Sequence, residues 1–337
     1  MRDKFILLGH GSGGQMTGEL LSKVVMPAIY DGGPPPDMDD ATPATLPHNK
    51  ICFTTDSYVV DPFIFPGGDI GDLAINGTIN DLAMAGAEPL FISLAFILEE
   101  GLSMDGFKSV LGSIRKASSQ AGVQIACGDT KVVPRGKGDK IFINTSGVGA
   151  AREGLVVHSR NAAPGDVVII NGTIGDHGIA VMSQREGMRF ESPVVSDTAA
   201  LHTLVSDIID AGVEIHVMRD PTRGGLATVA VEIAEAAGVS IRLDERAMPI
   251  SKSVAGACEI LGLDPMYVAN EGKMILIAPE RDAEKALKVM RSHRLGQDAA
   301  IIGRVLERGQ PKVTVTSSVG GVRMIGKLPG ELLPRIC

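Results

Sequence analysis

The feature that most limits the folds open to this chain is a recurring join, in which a short apolar run breaks into a cluster of glycine with aspartate or lysine. Lys4 to Leu8 runs into Gly9-His10-Gly11-Ser12-Gly13-Gly14, ahead of a helix predicted over 17–29 with Leu20, Leu21, Val24 and Val25 at helical spacing. Ile51 to Thr55 ends at Asp56, and after Pro66-Gly67-Gly68-Asp69 the residues 70–87 read as a helix of small side chains carrying Asp72 and Asp81. Val123 to Cys127 delivers Gly128-Asp129-Thr130-Lys131, a polar cluster expected at a strand terminus. Forty-one glycines and no tryptophan fit such a loop-rich α/β architecture, in which backbone repeatedly approaches something closely.

Length sets the organisation. A chain of 337 residues implies roughly two domains. The pattern resets around 152–165, and Asp166 to Ile170 opens a second α/β unit with helices predicted over 197–211, 225–237 and 282–293. The expected division is 1–155 and 156–310, followed by 311–337 as a last strand and a mobile tail ending in Pro334-Arg335-Ile336-Cys337. Prolines 329 and 334 make that tail an extended, semi-rigid arm. A cysteine as the last residue is not explained by packing, so it is either an incidental thiol or a group carried into a site.

Composition removes several function classes. A net charge of −8 leaves no basic surplus for nucleic acid, and no apolar run approaches the ~20 residues that span a bilayer. A cytoplasmic location is expected. Cys52, Cys127 and Cys258 sit apart in apolar runs and read as reduced core thiols. Glycines 9, 11 and 14 satisfy G-x-G-x-x-G, but Asp31-Gly32-Gly33-Pro34-Pro35-Pro36 follows the helix where a dinucleotide fold needs a second strand. No Walker lysine, paired C-x-x-C or G-x-S-x-G is present.

The remaining polar residues have two readings each. Aspartates gathered at a strand end, a turn and a helix suit a hard divalent cation with phosphate oxygens, or serve singly as caps; capping is the better account of Asp72. Lys131 either neutralises phosphate or lies on the surface. Asp220, in Arg219-Asp220-Pro221-Thr222-Arg223-Gly224-Gly225, faces a helix N-terminus, where anions bind. Glu271, just before the strand 274–278, is a capping group or a general base. His177 is a turn residue or a site histidine.

Taken together, the segments Thr54-Thr55-Asp56, 66–71, Asn80-Asp81 through Pro89, 128–133, 172–178, 220–225, 270–273 and 334–337 give the chain a resemblance to the HypE family of hydrogenase maturation proteins. That family sits among the aminoimidazole-ribonucleotide synthetase-like ATP enzymes, which include selenophosphate synthetase. The resemblance implies two α/β (α+β) domains, strands of the first pairing across a homodimer, and ATP bound near that interface. It implies an ATP-dependent carbamoyl dehydratase. The terminal cysteine receives a carbamoyl group from HypF, ATP drives dehydration to a thiocyanate, and the cyano group passes to iron held by HypC and HypD, on its way to a nickel–iron hydrogenase. By the same resemblance Cys337 is the acceptor, while Asp56, Asp69, Asp81 and Asp220 hold magnesium and triphosphate. Asp129 joins the nucleotide site, Gly11, Gly13 and Gly14 form a covering loop, Lys131 stabilises phosphate charge, and Glu271 orients or deprotonates the carbamoyl nitrogen, with Arg152 and His177 as further members. Two other classes stay consistent with the residues: a related synthetase acting on a free small molecule, and a non-catalytic thiol carrier.

Overall fold

The computed structural model describes residues 4–7, 10, 15–30, 50–187, 194–327 and 335–337. Gly11, Gly13, Gly14 and the loop expected over 31–48 lie outside the described residues. Helix α1 (Gln15–Leu20) passes through a π-helical turn into α2 (Met26–Tyr30). Strand β1 (Ile51–Tyr58) and the two-residue strands β2 (Ile64–Phe65) and β3 (Gly68–Asp69) lead into α3 (Ile70–Met84). Then come β4 (Ala87–Glu99), α4 (Met104–Ala121), β5 (Gln124–Val133) and β6 (Ile141–Ala151). Of Lys4 to Leu8, expected as a strand, Leu8 lies outside the described residues and Phe5 forms an isolated bridge with Ser103.

The first sheet has the order β1-β6-β4-β5, with β4 and β5 parallel and the other neighbours antiparallel. Helices cover one of its faces. The stripe Phe107, Val110, Leu111, Ile114 and Ala117 of α4 is buried there, Ser103 caps that helix through the Gly106 N–H, and Gly122 ends it in the left-handed conformation. The opposite face leaves Phe53 67% and Ile97 44% exposed.

The second unit is layered on both sides. Its sheet has the order β13-β12-β9-β11-β7-β10-β8, built from β7 (Asp166–Ile170), β8 (Val217–Arg219), β9 (Val239–Asp244), β10 (Ile275–Pro279), β11 (Ala300–Arg308), β12 (Lys312–Thr316) and β13 (Val322–Ile325). Strands β7 and β10 are buried along their whole length because successive side chains point to opposite faces and both faces are covered. Val168, Ile170, Ile275 and Ile277 meet α7 (Gly225–Ala237), whereas Val167, Ile169, Leu276 and Ala278 meet α6 (His202–Asp210) and α9 (Ala283–Ser292). Helices α5 (Asp176–Arg185) and α8 (Lys252–Leu261) enclose a smaller core.

Three expectations change. Strand β12 runs parallel to β9 and β13 closes the edge, with Val313 and Val315 buried, so residues 312–325 belong to the second sheet and not to a separate tail. Strand β5 continues through Gly128-Asp129-Thr130-Lys131 to Val133 because β4 pairs with it to Glu99, so that cluster lies within an edge strand and not at a strand end. On that edge Cys127 is exposed, and of the three thiols read as core only Cys258 is buried.

Candidate active site

Strand β1 alternates, so Thr54, Asp56 and Tyr58 turn toward α3 while Phe53, Thr55 and Ser57 turn outward. The helix lies close: a Cβ at Gly77 would collide with the Tyr58 hydroxyl, and Thr78 Oγ1 sits 2.5 Å from Thr145 Oγ1 of β6. This contact brings Asp81 of α3 to β1, where Thr54 Oγ1 donates to Asp81 Oδ2 at 2.7 Å. From the second unit, the end of β8 supplies Arg219, the connection after it Asp220 and Arg223, and the turn before β10 Glu271. Asn80 ties the two halves together, donating to the Glu271 carbonyl at 2.9 Å and accepting from the Leu201 N–H at 2.8 Å.

Asp56, Asp81, Asp220 and Glu271 thus line one cavity of ≈ 790 Å³, together with Tyr58, Arg219, Arg223 and Cys337. Their electrostatics are under-compensated. Burial, then the Asp81 charge, pushes Asp220 up to about 7. Asp81 is also raised by burial, with the Thr54 hydrogen bond pulling the other way. Glu271 is raised well above the ordinary carboxyl range, first by burial and then by Asp197, Asp220, Asp56 and Asp81. Its Oε1 is buried and has no hydrogen-bond partner, and such a group costs about 1–3 kcal/mol. Clustered carboxylates and an orphaned carboxyl oxygen suit a ligand that brings positive charge and hydrogen-bond donors. Among the described residues no three such side chains already converge as a metal-holding group.

The last residues enter this cavity. The Ile336 side chain is 3% exposed and packs in the first core, which favours docking by about 2 kcal/mol. Val59 N–H donates to the main-chain oxygen of Cys337 at 3.1 Å, and Asp61 N–H to the Arg335 carbonyl at 3.3 Å. Arg335, at φ 53°, ion-pairs with Asp139 at 2.7 Å and donates from Nε to the Val59 carbonyl. Arg185 clamps the same loop through the carbonyls of Arg335 and Asp61.

Other expected site residues lie elsewhere. Asp69 is the N-cap of α3, its Oδ1 accepting from Gly71 and Asp72 N–H and its Oδ2 from Ser113 Oγ at 2.5 Å, so its oxygens are already engaged. Asp72 follows in the first helical turn, raised to about 6 chiefly by burial. Asp129 and Lys131 pair with each other at 2.7 Å on the exposed edge of β5, because a strand that runs on presents both side chains on one face. Arg152 binds Asp210 at 2.6 Å, away from the cavity. His177 is fully buried and meets the chain carbonyl of Ile336, not the carboxylates. Thr54, Tyr58, Arg219 and Arg223 were not singled out as site residues, although Thr54, Arg219 and Arg223 stand inside the very motifs that carry Asp56 and Asp220.

Comparison with known proteins agrees with this architecture. Residues 38–151 match the AIR synthase related protein N-terminal domain, and residues 163–316 its C-terminal domain. The chain is 48% identical over 331 residues to carbamoyl dehydratase HypE of Rhizobium leguminosarum bv. viciae, covering 98% of this chain and 94% of that protein. Its fold superposes with TM-score 0.94 on a crystal structure of hydrogenase maturation protein HypE in complex with ATP, at 45% identity and covering 98% and 99% of the two chains. A chain in a crystal structure of a HypE–HypF complex matches with TM-score 0.80 at 45% identity, over 94% and 100% of the two chains. No helix among the described residues is long and apolar enough to cross a membrane. With both domains matched and near-half identity over almost the whole length, the chain belongs to the HypE family of AIR synthase related proteins.

Proposed function

We propose that this protein dehydrates a carbamoyl group carried on Cys337 to a thiocyanate, using ATP, and so supplies the cyanide ligand of a nickel–iron hydrogenase. The observation that carries the reading is the docking of Cys337 into the cavity that holds Asp56, Asp81, Asp220 and Glu271. An amide oxygen is a poor leaving group. Transfer of the γ-phosphoryl group from ATP to the carbamoyl oxygen makes it part of a phosphate that departs as the C–O bond breaks, while the nitrogen loses both protons and gains the C≡N bond. The products are the thiocyanate on Cys337 Sγ, ADP and phosphate.

The chain's own residues divide this work. Glu271 takes a proton from the carbamoyl nitrogen; a carboxyl whose proton affinity is raised by burial is a stronger base than an exposed one. Arg219 and Arg223 supply positive charge beside the carboxylates where phosphate charge develops. Asp56, Asp81 and Asp220 are the hard oxygen donors that would hold magnesium, and the ion would supply neutralisation of phosphate charge there. The docked tail supports a near-attack arrangement, since hydrogen bonds on both sides of Ile336 leave the thiol little freedom.

The carbamoyl group comes from HypF and the cyano group leaves to the HypC–HypD complex, by kinship with the family. The uncovered face of the first sheet, with Phe53 and Ile97 exposed, is the face we assign to a homodimer. Calorimetric titration with ATP, with and without magnesium, tests the nucleotide site: magnesium-dependent binding that is lost in Asp81→Asn is expected, and its absence in the wild type overturns the reading. Truncation of residues 334–337 is expected to stop turnover. Undiminished turnover after truncation would mean a free small-molecule substrate.

A further inference from the structure

A chain of hydrogen bonds leads from the second unit to the tail. Thr198 N–H donates to Ser196 Oγ at 3.2 Å, Ser196 Oγ lies 2.8 Å from His177 Nδ1, and His177 Nε2 lies 2.7 Å from the Ile336 carbonyl. A carbonyl only accepts, so Nε2 must carry the proton; in the neutral ring, which burial favours, Nδ1 is then the acceptor and the Ser196 hydroxyl donates to it. The imidazole is fully buried and packs perpendicular to the Phe65 ring, 5.4 Å between centroids, so one tautomer and one orientation are held. The contact reaches 159 residues along the sequence, to a main-chain atom.

The same short segment also sets the base. Asp197, between Ser196 and Thr198, accepts from the Glu271 N–H at 3.2 Å and ion-pairs with Lys273 at 2.9 Å in a buried setting. Its backbone comes so near the turn that any Cβ at position 272 would overlap the Asp197 carbonyl, which is the reason for Gly272. Residues 196–198 therefore fix the tail carbonyl through one side chain and the backbone of Glu271 through the next.

We propose that His177 is a positioning residue which, with Ser196, tethers the Ile336 carbonyl and sets the reach of Cys337 relative to Glu271. Its role is to hold the main chain of the tail in place, with no proton transfer. The proposal deepens the functional reading, on which the value of the tether for chemistry rests; the docking itself does not depend on it.

Hydrogen exchange at the Val59 and Asp61 amides reports docking, because both donate to the tail and exchange only when it leaves. The measurement is made on full-length protein without nucleotide or carbamoyl donor. His177→Phe keeps the ring volume and removes the donor, and exchange is expected to rise about fivefold, the loss of one net hydrogen bond. His177→Gln restores a donor and is expected to exchange close to the wild type. A residue needed only for packing would give the reverse order. Ser196→Ala, outside any helix, serves if His177→Phe fails to fold, and is expected to raise exchange less. Wild-type exchange in Ser196→Ala or His177→Phe, or equal exchange in Phe and Gln variants, overturns the tether. In turnover, His177→Phe is expected to lower kcat with the KM for ATP unchanged, and Gln to recover it. Dehydration that fails in the wild type while exchange follows the expected order would remove the functional reading and leave the tether standing.

Discussion

Asp69 and Glu271 are both buried carboxyl groups beside the start of an element, and they differ in what surrounds their oxygens. Asp69 receives two backbone N–H groups and a serine hydroxyl, which pull against the rise that burial imposes. Glu271 faces four other carboxylates, keeps one oxygen without a partner, and is raised much further. A satisfied carboxyl holds a helix in place. An unsatisfied one marks where the fold bears a local cost that a ligand can relieve. The difference assigns structure to one side of α3 and chemistry to the other, although both residues stand in glycine-rich turns of similar appearance.

Substitutions can break that contrast. The largest expected effect is Cys337→Ala, which should abolish formation of a protein-bound thiocyanate while leaving ATP binding intact, checked by mass spectrometry and calorimetry. Glu271→Gln should slow single-turnover dehydration by about 10²- to 10⁴-fold with no loss of Tm, since it removes a carboxyl that its neighbours oppose. Equal losses of rate and stability there would make Glu271 a structural residue like Asp69.

Asp220 gives a pH signature. Its folded-state value is raised from 3.8 to about 7, so the folded chain binds the proton more tightly than the unfolded one. Its contribution is therefore fully present below about pH 4 and lost as pH rises through about 7. Asp220→Asn should flatten the fall in stability across that window, measured by denaturant unfolding from pH 5 to 8 without nucleotide; an unchanged slope would contradict the burial-driven shift. Asp69→Ala should cost about 1–2 kcal/mol through loss of the cap, read as a lowered Tm. The smallest effect belongs to Arg152→Ala, whose partner Asp210 is largely exposed, so less than about 1 kcal/mol is expected.

What was legible in the residues followed from local chemistry. Strand–glycine–helix joins pointed to α/β units, and the α4 stripe read as core; Asp56 was expected at a strand end, whereas pairing with β6 carries β1 on to Tyr58. Asp56, Asp81, Asp220 and Glu271 stood out in the sequence as isolated acidic residues. Their convergence in one cavity was suggested by kinship, because no periodicity relates residues 56 and 271. Asp69 looked the same as Asp81 in one dimension; the Gly71 and Asp72 N–H groups make it a cap, and the Ser113 hydroxyl, 44 positions away, takes up its other oxygen. Lys131 was misplaced by the assumption that a polar cluster ends a strand, when pairing with β4 carries the strand onward. The tethering role of His177 was invisible, since its partner is a backbone carbonyl and carbonyls have no sequence signature.

The central claim is that Cys337 carries the group that is dehydrated in this cavity, and intact-protein mass measurement tests it most directly. Wild type and Cys337→Ala are incubated with a carbamoyl donor system and then with magnesium and ATP. The account predicts a carbamoyl-sized gain on the wild type alone, followed by loss of one water when ATP is added. Hydrolysis of ATP with no change of mass at Cys337 would contradict it.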